Sequence, residues 1–343
     1  MRASRPFYVR VIRQMMEPVD TVARNKTEDR GIRNLRLALG LIWLLDGALQ
    51  FQPYMFTRSF VDDVILPTAQ GNAGFVTHPT LSLAHLITPD IAVWNALFAT
   101  LQVALGVGIV AGTLTKRAPV LKVVLAGSIA WSVLVWWFSE GLGGILQGGS
   151  PIAGAPGAVI LYAVAAVLLW PGTSDDGDTL SAPFLGGTFA SGAWLGLWVF
   201  SGFLLLEPAN QGRGAISSLV SQAADGEPGI VHRPLVDVAH ALAGGGPWEA
   251  TIIAVAMVVI GAGAVLGRHP RPFLISAIVL AGAIWIFGEA FGGILTGQGT
   301  DPNSGPLWVL LAMCMWVGLG NRAELLARRS DARITEHQLA TAR

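Results

Sequence analysis

The sequence predicts an all-α integral membrane protein. Its eight transmembrane helices form two parallel four-helix repeats with pseudo-twofold symmetry along the membrane normal. Three observations carry this prediction. The 343 residues are 52% hydrophobic and only 13% charged, against about 25% charged in a soluble domain. Eight segments are apolar and long enough to span a bilayer. A thirteen-residue motif near the end of one such segment recurs near the end of another.

Composition narrows the class further. Twelve Trp and 42 Gly fit transmembrane helices with aromatic belts at their ends. A formal net charge of zero argues against a nucleic-acid partner. Cys314, the single cysteine, excludes an internal disulfide, a CxxC redox pair and a multi-cysteine cluster. Residues 1–34 are polar and basic and lack the apolar core of a cleavable signal. They read as a cytoplasmic N-terminal segment, with 7–16 as either an interfacial helix or a basic tail.

A spanning helix takes about 20 apolar residues, with a range of roughly 17–25. Segments 35–51, 92–113, 119–138 and 155–171 meet that length and make the first repeat, 35–171. Segments 189–206, 248–267, 272–288 and 305–321 make the second, 189–321. Residues 172–188 link the repeats, and 322–343 form a cytoplasmic tail. The long connections 52–91 and 207–247 contain apolar-polar stretches that read as short helices capping one face, since long structureless loops are uncommon.

Basic residues set the orientation. They crowd the stretch from Arg2 to Arg36, the turn at Lys116 and Arg117, the turn at Arg268 and Arg271, and the tail from Arg322. Eight spans place all of these on one side, so both termini are expected in the cytoplasm of a bacterial inner-membrane protein. The linker dissents weakly, with Asp175, Asp176 and Asp178 and no basic residue.

The repeated motif runs from Trp136 to Gly148 and again from Trp285 to Gly297, identical at eight of thirteen positions. A shift of 155 residues also aligns Trp43 with Trp198, Gly47 with Gly202, His85 with His240 and Gly106 with Gly261. Four spans per half leave both copies in one orientation, which makes the repeat parallel rather than inverted.

Each motif carries an acid, Glu140 or Glu289, where a helix leaves the hydrocarbon, followed by a glycine-rich turn. A carboxylate at that depth is costly and points to function. It can hold a proton, ligate a metal or anchor a cation. It can equally cap the N–H groups of its own turn. Asp46 sits inside the first span, whereas its repeat partner is Ser201. It must face the bundle interior and find donors, with Gln50, Trp43 and Arg58 as candidates. Trp136, Trp285 and Trp43 are candidate walls for a quinone ring, or plain interface anchors. His85 and His240 coincide under the repeat and form a candidate metal pair, although their spacing is no metal signature. The spans contain no His, which disfavours a transmembrane haem. Asp301, Asn303 and Ser304 read as a cap for the last span.

The four-span unit opens with Arg36-Leu37-Ala38-Leu39-Gly40-Leu41 and Gly47, then runs through a long external segment. In this each half resembles the DoxX/DoxD-like membrane proteins, here duplicated in tandem. The resemblance implies a compact four-helix membrane unit and an accessory subunit of a quinone-linked redox system with an external or membrane redox partner. It assigns no catalytic residue. Two alternatives stand beside it: a transporter or channel for a small solute or metal ion, and a non-catalytic assembly subunit. The expected site is an outward-facing cavity lined by Glu140, Glu289, Asp46, His85 and His240.

Overall fold

The computed structural model describes residues 19–172 and 186–318. The expected interfacial stretch 7–16, most of the 172–188 linker and the 322–343 tail lie outside the described residues. Every regular element among those described is helical. The long helices are α1 (Val19–Leu49), α2 (Gly74–Ile87), α3 (Ile91–Leu114), α4 (Ala118–Phe138), α5 (Ala158–Leu168) and α6 (Gly186–Leu205). They continue as α7 (Ala215–Ala223), α8 (Gly229–Leu242), α9 (Pro247–Leu266), α10 (Pro270–Phe287) and α11 (Ser304–Gly318).

Four helical runs are long and apolar enough to cross a membrane: Gly74–Leu114, Ala118–Phe138, Pro247–Leu266 and Pro270–Thr296. Their outward faces carry exposed Val93, Leu97, Val123, Val255 and Val279, a surface suited to lipid. Helices α5, α11 and the described length of α6 from Phe189 are apolar but shorter. The sequence led us to expect a helix over 155–171. The observed one starts at Ala158, because Ala155-Pro156-Gly157 is drawn into the turn beside Glu140. In contrast, α1 begins well before the expected 35 and stops at Leu49, close to Pro53, which cannot continue a helix.

Two close helix pairs organise the bundle: α1 against α3, and α6 against α9. Small residues set both contacts. A Cβ at Gly106 would lie 2.8 Å from the Gly40 carbonyl. At Gly202, a Cβ would meet the Ala254 carbonyl at 2.9 Å. Helix α4 then packs on α3 and α5, and α10 packs on α9. One apolar core runs through both halves, from Leu39, Trp43 and Leu161 to Trp198, Leu274 and Leu311.

The buried cation of this core meets a helix end through one of its three nitrogens, while Nη1 and Nη2 have no hydrogen-bond partner among the described residues. Arg36 is fully buried, and its Nε donates to the Leu169 carbonyl at 2.8 Å. That carbonyl lies at the C-terminus of α5, where a cation meets the negative end of the helix dipole.

The expected capping helices are present. Residues 58–69 form a continuous irregular helical stretch, which with α2 closes the first half. Helices α7 and α8 close the second. Each half also reaches over to the other. Gln52 Nε2 donates to the Gly299 carbonyl at 3.2 Å, and Asn210 Nδ2 donates to the Gly148 carbonyl at 3.1 Å.

Candidate functional site

Glu140 and Glu289 each follow the last turn of a long helix, α4 or α10, and each opens a tight turn, Gly141–Gln147 or Ala290–Thr296. Both turns wind left-handed over successive residues. Leu142, Gly143 and Gly144 have φ of 60°, 64° and 72°, and Phe291, Gly292 and Gly293 have 60°, 77° and 64°. L-residues pay about 1 kcal/mol or more for this conformation, so glycine supplies most of it. Space demands glycine as well. A Cβ on Gly292 would sit 2.6 Å from the Asp301 carbonyl, and one on Gly143 would strike the Pro156 carbonyl.

An indole closes each turn from below. Trp136 Nε1 donates to the Pro156 carbonyl and Trp285 Nε1 to the Pro302 carbonyl, both at 2.7 Å. These two tryptophans therefore brace the turns, and neither lines the main cavity described below.

The two carboxylates differ in how they are satisfied. Glu289 is buried, accepts the Gly305 N–H at 3.0 Å, and accepts a short hydrogen bond from the Ser304 hydroxyl. Ser304 thus does more than cap α11. Glu140 is only partly buried as a whole residue, yet its Oε2 is sealed from solvent and has no hydrogen-bond partner among the described residues. Burial first and the nearby Asp301 charge second push its pKa up to about 8, against the opposing pull of the Val159 N–H. At neutral pH this group is therefore mostly a neutral acid, able to donate a proton.

Glu140 lines a cavity of about 290 Å³, at the small end of ligand pockets. Asp46 projects into the same cavity from α1, and Asp301 from the loop before α11. The remaining wall is largely apolar and aromatic, with Trp43, Phe98, Trp131 and Phe138. Leu134, half exposed on α4, also lines it and marks where it reaches the bundle surface. Asp46 is 2% exposed, and its Oδ1 lacks a hydrogen-bond partner among the described residues.

Two of the three donors expected for Asp46 are engaged elsewhere, and the third, Gln50, lines the same cavity. Trp43 Nε1 bonds the Ser128 hydroxyl at 2.9 Å, and Arg58 pairs with Asp62 at 3.2 Å. Tyr162 lies beside Asp46 and its hydroxyl interacts with that carboxyl, but too loosely to count as a well-formed hydrogen bond.

Asp301 is held by two donors. Thr300 Oγ1 bonds Oδ2 at 2.8 Å, and the Asn303 N–H bonds Oδ1 at 2.6 Å. Burial raises its pKa, and these two donors oppose the rise. No lysine or arginine lines the cavity, so its three acids face no counter-charge.

The structure thus brings Asp46, Glu140 and Trp43 together. Glu289 does not line this cavity, nor do His85 and His240. His85 and His240 lie in the last turns of α2 and α8. Among the described residues, no group of three or more His, Cys, Asp or Glu is placed to hold a metal ion.

The sequence read Asp301 only as part of a cap for the last span, and it did not single out Trp131 or Gln102; all three line the cavity. The signal for Asp301 is that, like Asp46, it is an acid in one half where the other half has none.

Comparison with known proteins finds no matching family model, no matching curated protein and no matching solved structure.

Proposed function

We propose that this chain is a polytopic inner-membrane protein of two fused four-helix repeats, with both termini cytoplasmic, whose first repeat binds the ring of a quinone beside Glu140. In this reading it serves as a DoxD-like membrane subunit of a redox system. The observation that carries the reading is the cavity itself: an aromatic, apolar body of about 290 Å³ with buried acids and no base. A flat ring stacks on Trp43, Trp131 or Phe98. A quinone carbonyl accepts a proton-bearing hydrogen bond, and Glu140, raised to about 8, carries that proton at pH 7. The half-exposed Leu134 at the rim supports entry from the lipid.

The repeat draws support from the matching helix pairs, α1 with α3 and α6 with α9, and from the reciprocal Gln52–Gly299 and Asn210–Gly148 bonds. Transport across the bilayer draws less. Between Trp43 and the Lys116 turn the interior is occupied by fully buried Leu39, Ile109, Leu121 and Leu125, and the buried polar groups there, Arg36, Thr113 and Ser128, each bond a local partner.

Purified protein in mild detergent tests the proposal. A short-chain quinone is expected to quench tryptophan fluorescence saturably. Glu140→Gln should weaken that binding about tenfold, a loss of about 1.4 kcal/mol, while Glu289→Gln should lower thermal stability and leave binding intact. Equal binding by wild type and Glu140→Gln would overturn the assignment of Glu140.

A further inference from the structure

A second cavity, of about 280 Å³, lies against the first. It is bounded by the glycine turns, through Gly143 and Gly292, and by Thr68, Gly154 and Asn303. The partition between the two cavities consists of residues that line both: Val64, Ser139, Glu140, Thr300 and Asp301. A third cavity, of about 300 Å³, shares Val64, Gly292 and Thr300 with the second and continues past Gln298 and Asp225. A chain of spaces therefore leads from the glycine-turn face to the acid-lined pocket. Toward the opposite, Lys116–Arg117 end of α4, buried Leu39, Ile109, Leu121 and Leu125 fill the interior, and the polar groups among them are bonded locally: Thr113 to the Ile109 carbonyl, Ser128 to Trp43 and Arg36 Nε to the Leu169 carbonyl.

The partition has two carboxylates, one from each half of the chain. Asp301 is fixed by Thr300 and Asn303, and Glu140 Oε2 has no partner. Beyond them, Asp46 is 2% exposed and unpartnered at Oδ1 inside the pocket. The titratable groups facing Glu140 are Asp301 from the loop before α11, Asp46 from α1 and Tyr162 from α5.

We infer that Glu140 and Asp301 form a proton gate through which the pocket exchanges protons with the glycine-turn face alone. This rests on the ligand pocket proposed above, but not on the ligand being a quinone. In the forward step, a hydronium ion in the outer cavity gives a proton to the Glu140 carboxylate and is left as water. The protonated acid then passes that proton to Asp46 or to a ligand oxygen and becomes a carboxylate again. No electron moves. Asp301, held by its two donors, is the fixed charge that discourages ionisation of Glu140 and so keeps the mobile proton on it.

Single cysteines test the gate in a Cys314→Ala background, in membrane vesicles of known orientation. Thr68→Cys lines only the outer cavity, and Gln102→Cys lines only the pocket. An impermeant thiol reagent applied at the glycine-turn face is expected to label Thr68→Cys quickly and Gln102→Cys at least tenfold more slowly. Adding Glu140→Ala should close most of that gap. Glu140→Gln keeps the side chain's shape and should leave Gln102→Cys protected, while abolishing an infrared carboxyl band that follows pH on the glycine-turn side. Labelling of Gln102→Cys from the Lys116 side, or a band that follows pH on that side, would overturn the inference. So would a labelling rate indifferent to Glu140→Ala. Loss of quinone binding with these accessibilities intact would remove the ligand assignment and leave the gate standing.

Discussion

Exchanging one hydroxyl between the halves should exchange their behaviour. Ser304 lies two residues beyond Pro302, whose carbonyl receives the Trp285 indole. Ala158 lies two residues beyond Pro156, whose carbonyl receives the Trp136 indole. The two positions therefore correspond, and the Ser304 hydroxyl that satisfies Glu289 has a methyl group as its counterpart near Glu140. Ala158 is 4% exposed. Ala158→Ser should place a hydroxyl on the unpartnered Oε2. A hydrogen bond to such a group adds about 1–2 kcal/mol net, which appears as a rise of a few degrees in the thermal midpoint. A ligand must then displace the hydroxyl to reach Glu140, so its affinity should fall about tenfold. The reverse change, Ser304→Ala, leaves a buried carboxyl oxygen bare and should cost about 1–3 kcal/mol. The assay is a double-mutant cycle of Ala158→Ser with Glu140→Ala, read by thermal denaturation in detergent and by ligand titration. A coupling of about 1 kcal/mol or more is expected. Coupling near zero, with binding unchanged in Ala158→Ser, would refute the correspondence and the role of the free Oε2.

Two further outcomes follow from the turns and from the titration of Glu140. Gly292→Ala places a Cβ 2.6 Å from the Asp301 carbonyl at a left-handed φ of 77°, so folding yield should drop sharply, by an equivalent of about 3 kcal/mol; normal expression with an unchanged thermal midpoint would refute the packing. The folded-state pKa of Glu140 lies near 8, above its ordinary 4.5, so the unfolded chain releases this proton first and stability should fall as pH rises from about 4.5 to 8, by about 1.4 kcal/mol per unit at most. Glu140→Gln should make this slope shallower, and a slope unchanged by the substitution would assign it to another group.

The helical class was legible because it rests on features spread along the chain. Apolar runs and glycines at the helix contacts recur many times, so small local errors average out. Helix ends were less legible. The start of α5 at Ala158 depends on a turn that reaches back to Trp136 and Glu140, which no local signal encodes. The site was legible in part. Asp46 and Glu140 stand out because an acid in an apolar stretch is rare. Asp301 does not, because Asp-Pro-Asn-Ser before a helix reads as an ordinary cap, and its two local hydrogen bonds fit that reading. Its approach to the first half is a tertiary fact. Trp131 and Gln102 sit among many similar residues, and only the cavity separates them from their neighbours.

The proposed repeat accounts for the unequal polarity of the two close helix pairs. An unpaired acid in the membrane costs about 2.5–3.5 kcal/mol on insertion scales, and of the paired positions Asp46 and Ser201 only the first carries one. Where the first half has Asp46, Gln50 and Gln102, the second has Ser201, Leu205 and Met257. Where Trp43 stacks on Tyr162 with centroids 4.3 Å apart, Trp198 meets Trp308 at 5.0 Å. The remaining acid of that motif, Glu289, is fully engaged by Ser304 and Gly305. Yet the second half is not inert packing, because Asp301 and Thr300 complete the wall of the first half's pocket. A lone four-helix unit would need a second copy to supply that wall and would then carry two pockets. In the proposed repeat, fusion assigns the proposed chemistry to one copy and the completing wall to the other.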